Sequence, residues 1–305
     1  MKLPPQVRVL ERGWLSSNNI LFLEGERATL IDSGYVSHAP QTVELVRHAL
    51  DGRQLSSIIN THSHSDHIGG NAALQKEFHC AITVPAGIAA AVAAWDEDFL
   101  MLRPSGQRGA PFRHDAVLHP EAEFELAGLT WRAIAAPGHD MEALVFYCAS
   151  ERLLISGDAL WRDGFGIQFA EVMGQAAGLD ATRKTLETIG RLAVDAVIPG
   201  HGPAFAEFDE AMERAMKRVA AFAEDPSRMA RNALKACFIF NLLELRRLHR
   251  DKLAEYLSAI PFFRDVGVRL LNQSPEALAA WLLEELLRAG VVELRGDDIV
   301  TTLTA

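Results

Sequence analysis

Cysteine is scarce in this chain of 305 residues: Cys80, Cys148 and Cys237 lie in apolar surroundings with no C-x-x-C spacing. That excludes a disulfide framework and a cysteine-built zinc knuckle, and it points to a reducing, cytoplasmic compartment. No run of about 18 uncharged apolar residues occurs, and the stretch from Met1 to Arg8 meets lysine and proline before any apolar segment, so neither a membrane span nor an export signal is expected. An excess of positive charge is also missing. The formal net charge is −10, which argues against nucleic-acid binding through a broadly basic surface. Internal repeats are absent, and the only biased tract is alanine-rich, between Ala86 and Trp95.

What is present is the balance of an ordinary globular protein, 49% hydrophobic and 23% charged, with length enough for one large domain or two. Asn19 to Leu23 and Arg27 to Ile31 read as a β-hairpin around Glu24-Gly25-Glu26, running into Asp32-Ser33-Gly34. Ala39 to Leu50 has helical spacing, Ser57 to Asn60 reads as strand, Ala72 to Phe78 as helix, Ala81 to Val84 as strand and Ala86 to Trp95 as helix. Pro104, Gly106, Gly109 and Pro111 predict a long loop from Asp96 to His119 that carries Arg103, Arg108 and Arg113. Four strands follow, Glu123 to Leu126, Thr130 to Ala135, Leu144 to Cys148 and Leu153 to Ser156. Asp180 is the expected N-cap of a helix reaching about Val194, and Ala196 to Ile198 is a buried strand.

Beyond Phe208 the composition turns helical, with Glu210 to Glu224, Arg231 to Arg246, Lys252 to Ala259 and Pro275 to Arg288 as helices and Val291 to Thr302 as a strand-like end. Two domains are expected, residues 1–210 and 211–305. The acidity belongs to the first, at net −11 against +1 for the second.

The strongest chemical signal is Thr61-His62-Ser63-His64-Ser65-Asp66-His67, which places four metal-ligand side chains just after an apolar strand. Residues two apart in an extended segment project to one side, so His62 and His64 can face one ion while Asp66 and His67 serve a neighbouring position. Three further candidates end apolar strands behind a glycine: Pro137-Gly138-His139, Ser156-Gly157-Asp158 and Pro199-Gly200-His201. Five imidazoles and two carboxylates exceed what one tetrahedral zinc needs and suit a dinuclear centre.

In order and spacing these residues resemble the H-x-H-x-D-H motif and three later ligands of the metallo-β-lactamase superfamily, over roughly residues 16–203, and Leu30 to Gly34 resembles its early aspartate turn. The resemblance implies an α/β fold, a four-layer αβ/βα sandwich with metals at one edge. It further implies His62, His64 and His139 at a first metal, Asp66, His67 and His201 at a second, Asp158 bridging, and Asp66 as the catalytic residue that orients the nucleophile and returns a proton. An aspartate at Asp158 is similar to the glyoxalase II and lactonase branches. The tail resembles a winged-helix-like extension, with Pro275 to Arg288 as its third helix and Val291 to Thr302 as the wing, although Glu276, Glu284 and Glu285 oppose only Arg288 there.

The expected function is thus a dinuclear metal-dependent hydrolase acting on a carbonyl ester, thioester or lactone of small-molecule size through a metal-bound hydroxide, with Zn2+ first and iron or manganese as alternatives. A phosphodiesterase or ribonuclease is the alternative, and a nucleic-acid-binding regulator a further one. Asp32 is open between a hydrogen-bond acceptor for a ligand histidine and a simple turn residue, and Trp161, Phe165 and Phe169 between pocket lining and core. His38, His48, His79, His114, His119 and His249 show no partner pattern. Against the acidic first domain, Arg103, Arg108 and Arg113, or Arg246 and Arg247, are the cations expected to receive an anionic substrate.

Overall fold

The computed structural model describes residues 3–175 and 177–304. The first sheet contains β1 (Val7–Leu10), β2 (Asn19–Glu24), β3 (Arg27–Ile31), β4 (Gln54–Ile59), β5 (Ala81–Pro85) and β6 (Ala116–Leu118) in chain order, antiparallel from β1 to β3 and parallel from β3 to β6. The second contains β7 (Glu123–Leu126), β8 (Leu129–Ala135), β9 (Leu144–Cys148), β10 (Leu153–Gly157) and β11 (Ala196–Pro199) in the order β11-β10-β9-β8-β7, with only β10 and β11 parallel.

The strands β9, β10 and β11 are buried on both faces, which is why they read as near-continuous apolar runs. On β9, Leu144, Phe146 and Cys148 fill the space between the sheets while Val145 and Tyr147 face the outer helices. On the first sheet Ile20 and Phe22 point inward, and Leu21, Ala28 and Leu30 meet the outer helices Ala39–Leu50 and Asn71–Phe78 through Val46, Leu50 and Leu74. The result is the expected four-layer αβ/βα sandwich. All three cysteines are buried and unpaired.

Behind the second sheet one apolar cluster takes in Leu154 and Val197, Leu186 and Ile189 of the helix Gly178–Ile189, and Val219, Phe238, Phe262 and Leu282 of the tail, so that helix and the tail helices share one core on this side. These helices are Phe208–Glu224, Pro226–Leu245, Leu253–Ala259, Pro261–Leu271 and Pro275–Arg288. The tail ends in β13 (Val292–Arg295) and β14 (Asp298–Thr301), a hairpin to which β12 (Leu248–His249) adds by pairing with β14. Among the described residues no helix is long and apolar enough to cross a membrane.

Several expectations need correction. The segment from Asp96 to His119 is not a plain loop. It holds a helical turn at Leu102–Ser105 and the edge strand β6, and it buries Leu100, Leu102 and Phe112, because apolar residues between its prolines and glycines supply packing that punctuation alone does not reveal. The helix expected from Asp180 runs Gly178–Ile189, with Asp180 inside its first turn, where a carboxylate favours the helix dipole. The helix expected from Arg231 starts at Pro226. Asp225 caps it, its Oδ1 accepting from the Ser227 and Arg228 backbone N–H groups at 2.9 and 3.2 Å, and proline fits the first helical position. Pro261–Leu271 is a helix that proline and Gly267 had masked; Phe262, Phe263 and Val266 bury its inner face. The alanine-rich tract is α-helical only over Ala89–Ala94.

Candidate metal centre

The polar segments of the site all leave strands at one edge of the sandwich. β3 and β4 are parallel, and β8, β10 and β11 share a direction because β9 is antiparallel to β8 and β10 while β11 is parallel to β10. Asp32 follows β3, the Thr61 to His67 segment follows β4, and His139, Asp158 and His201 follow β8, β10 and β11. Main-chain bonds join the two sheets here: Leu144 N–H donates to the Thr61 carbonyl at 2.9 Å and Asn18 N–H to the Gly200 carbonyl at 2.7 Å. The Asn18 side chain also donates to Pro199 and Gly202 carbonyls at 3.0 and 2.7 Å.

The structure brings all seven sequence-selected residues into two adjoining groups. His62, His64 and His139 form one, and Asp66, His67, Asp158 and His201 the other, with the candidate ligand atoms of each group within 4.8 Å of one another. Asp158 lies between them: Oδ2 is 3.3 Å from His139 Nε2, and Oδ1 is 3.5 Å from His67 Nε2. Two glycines make this approach feasible. Gly157 adopts a positive φ of 48°, and a Cβ on Gly200 would collide with the Asp158 carboxylate and the His67 ring.

Hydrogen bonds fix which nitrogen each ring presents. His139 Nδ1–H donates to the Ile167 carbonyl at 2.6 Å and leaves Nε2 facing His64 Nδ1 at 2.6 Å. His67 Nδ1–H donates to Asp32 Oδ2 at 2.7 Å and leaves Nε2 free. The sequence left Asp32 open; the structure makes it an acceptor, since it also takes Thr61 N–H at 2.9 Å and Thr61 Oγ1–H at 2.7 Å while holding a φ of 57°. The Nε2 atoms of His62 and His67 are buried with no hydrogen-bond partner among the described residues, which is costly unless a cation receives them. This donor set of nitrogens and carboxylates fits divalent ions.

Electrostatics divide the two groups. Burial, then His67 and His64, push the His62 imidazole well below its ordinary pKa, and burial with His139 lowers His64 to about 4. His67 behaves oppositely: burial pulls it down, but Asp32, Asp66 and Asp158 hold it well above its usual value. Burial opposes ionisation of Asp158, yet His67, His201 and His139 keep its carboxyl well below the usual range, and Asp66 is lowered against the same opposition by His67 and His201, the latter 2.8 Å away.

Some site residues escaped the sequence reading. Asp140 accepts from Ser63 N–H and Oγ–H at 3.0 and 2.5 Å and from Glu142 N–H at 2.8 Å, fixing the histidine loop; adjacency to Gly138-His139 was its only signal. Trp14 stacks on His201, centroids 5.5 Å apart and planes 12° off parallel, with no sequence signal at all. Trp161 Nε1–H donates to Asp158 Oδ1 at 3.1 Å. Phe165 and Phe169 belong to the core and line the cavity at once.

That cavity, of about 400 Å³, opens on His64, Asp66, His139, Asp158 and His201 and runs between the second sheet's loops and the tail helices to Leu286, Val291 and Leu303. The loop arginines do not reach it. Arg103 pairs with Asp98, Arg113 with Asp115, and Arg108 with Glu244, so the expectation that they meet a substrate is wrong; local carboxylates neutralise each one. Arg246 and Arg247 do not line it either, and Arg247 lies 3.7 Å from Asp298. The basic side chains that do line it are Arg218 and Lys235.

Comparisons with known proteins agree with this geometry. A hydroxyacylglutathione hydrolase of Rhodopseudomonas palustris (strain HaA2) is 31% identical over 133 residues, 43% of this chain and 44% of that protein. Thioesterase pkgB of Emericella nidulans is 25% identical over 200 residues, 65% of this chain and 49% of its own. The matches thus span less than half of either relative's length. Among solved structures, a metallo-beta-lactamase family protein from Thermus thermophilus superposes with a TM-score of 0.55 at 20% identity, covering 98% of this chain and 100% of that one. A metallo-beta-lactamase of Cronobacter sakazakii gives 0.54 at 18% identity over 95% and 97%. Residues 12–201 match the family model described as the metallo-beta-lactamase superfamily. With that match over most of the sandwich and the seven polar residues gathered at its edge, the chain belongs to the metallo-β-lactamase superfamily.

Proposed function

We propose that the protein is a dinuclear metal-dependent hydrolase of thioesters with an apolar acyl group. The observation that carries this reading is the seven-residue cluster opening directly into an apolar slot walled by Phe165, Phe169, Ile239 and Leu243. Relatives named hydroxyacylglutathione hydrolase and thioesterase support a thioester over the ester or lactone that the same chemistry accommodates. His62, His64 and His139 would hold one divalent ion and Asp66, His67 and His201 a second, with Asp158 shared; zinc is the leading candidate. When bound, such ions polarise a carbonyl and make water acidic near neutrality.

The chain's own groups account for the rest. Asp66 is buried, stays ionised through His67 and His201, and can accept a proton from the attacking water and return it to the departing sulfur. Asp32 and the Ile167 carbonyl hold His67 and His139 in one tautomer throughout. The aromatic slot excludes bulk water from the acyl chain. Water adds oxygen to the carbonyl carbon, the C–S bond breaks, and a carboxylic acid and a thiol leave.

Regulation through nucleic acid is disfavoured because Arg288, the one cation of the third-helix segment named above, pairs with Glu284 and Glu285. The test is a panel of thioesters of increasing acyl length, a lactone and bis-p-nitrophenyl phosphate, assayed on protein of measured metal content. KM should fall as the thioester's acyl chain lengthens, and Ala236→Phe, which narrows the slot, should remove that dependence with metal content unchanged. Preferred turnover of the phosphodiester would reject the reading.

A further inference from the structure

A second recess of about 450 Å³ adjoins the cavity and shares Arg218, Asn232 and Lys235 with it. Two helices build it. Phe208–Glu224 contributes Arg214, Lys217 and Arg218, which fall on one helical face, while Ala211, Ala215, Val219 and Phe222 of the same helix are buried. Pro226–Leu245 returns antiparallel after the Asp225 cap and contributes Arg228, Asn232 and Lys235 at helical spacing. Five cations therefore line one recess, against a single lining carboxylate, Asp163, in a chain whose net charge is −10.

Like charges this close repel, so the arrangement costs stability unless an anion offsets it. Local partners offset it only in part. Asp163 lies 3.5 Å from Arg214, Glu213 holds Lys217 and Glu285 lies 3.5 Å from Lys235, whereas Arg218 and Arg228 have no ion pair among the described residues. Arg218 is half-buried, its guanidinium 5.8 Å above the Phe165 ring that also lines the slot. Burial lowers its pKa, Asp163 opposing and Arg228 adding to the effect.

We infer that this recess binds the phosphate groups of the carrier thiol from which the acyl group is cleaved, so that the substrate is an acyl thioester of a phosphorylated carrier. The inference rests on the thioester reading above and deepens it. Three guanidinium groups suit phosphate, whose oxygens take the planar fork in pairs. Five cations exceed what a peptide thiol such as glutathione would require, since its two carboxylates are partly offset by its own ammonium group, and they favour a ligand bearing two or more phosphates.

The double variant Lys217→Gln/Arg228→Gln tests it, because both residues line the recess and neither lines the slot. Calorimetry on the full-length, metal-loaded protein uses adenosine 3′,5′-bisphosphate, which has phosphates but no thiol, with reduced glutathione as the second arm. The bisphosphate should bind wild type and lose about tenfold or more in affinity in the variant, and glutathione should bind both proteins equally weakly. In turnover, kcat/KM for an acyl-coenzyme A should fall by a similar factor while the N-acetylcysteamine thioester of the same acyl group is unchanged. Equal bisphosphate affinity in the two proteins, an equal loss for both thioesters, or a wild type that prefers glutathione would overturn the inference. So would cleavage of an RNA oligonucleotide that the variant loses. If no thioester is hydrolysed but the bisphosphate binds in a variant-sensitive way, the thioester reading fails while the phosphate site stands.

Discussion

The ligand rim and the helical wall across the cavity are built by different means. On the rim, side chains from five strand ends are held by hydrogen bonds to partners that can adopt one position only: Asp32 on His67, the Ile167 carbonyl on His139, Asp140 on the Ser63 loop. On the wall, Ile239, Phe240 and Leu243 owe their places to helix packing and carry no polar constraint, while the cations beside them reach the same space on flexible stems. A polar rim made this way tolerates almost no substitution, whereas a packed wall can change its lining residue by residue. Chemistry should therefore break at the rim and selectivity shift at the wall.

The largest effect expected is from Asp158→Ala. Loss of the shared carboxylate should reduce turnover by more than about 100-fold, beyond the 10–100-fold that partners of metal ligands command, and lower metal content, with the thermal transition retained because the core lies between and behind the sheets. Wild-type-like activity would remove Asp158 from the centre. Next comes Asp32→Asn, which keeps the shape and tolerates the positive φ but loses the charge facing His67. Metal affinity or kcat should drop by about 10–100-fold. An unchanged metal content and rate would return Asp32 to a turn residue.

The third effect separates the two halves of the rim itself. In metal-free protein His62 and His64 are already neutral near pH 7, His64 having been lowered to about 4, whereas His67 holds a proton because its pKa is raised. Cation uptake at the group containing His67 must expel that proton. Below its raised pKa, affinity there should weaken by about tenfold per pH unit, while His62 and His64, already neutral, add no such proton competition to the other group until the pH approaches their lowered values. Metal titrations of chelator-treated protein between about pH 7.5 and 5.5 read this directly, and a common pH dependence for both ions would break the distinction. The smallest effect is expected from Arg108→Gln, which removes an exposed partner of Glu244 that does not itself line the cavity. A change in stability within about 1 kcal/mol and no change in KM is the outcome consistent with the wall being set by packing.

Much of the rim was legible in the sequence because metal chemistry demands particular residue types, which an extended strand end presents two apart at His62 and His64 and the helical turn Ser65–Ile68 then presents side by side at Asp66 and His67. His62, His64, Asp66 and His67 therefore announce themselves within one segment, and the glycines before His139, Asp158 and His201 mark the turns. The layered sheets were legible for a similar reason, since strands buried on both faces read as unbroken apolar runs such as Leu144 to Cys148. The tertiary fold alone decided the rest. Whether Asp32 meets a histidine depends on β3 lying beside β4, and Asp140 and Trp14 acquire their roles only when loops distant in sequence converge. Charge count selected Arg103, Arg108 and Arg113 as substrate cations, but side-chain pairing neutralised them, while Arg218 and Arg228, ordinary solvated residues in a helical pattern, were turned into a shared recess by the return of one helix along another. Composition and spacing record what a segment must do locally, and which segments share a cavity is fixed by packing between surfaces far apart in the chain.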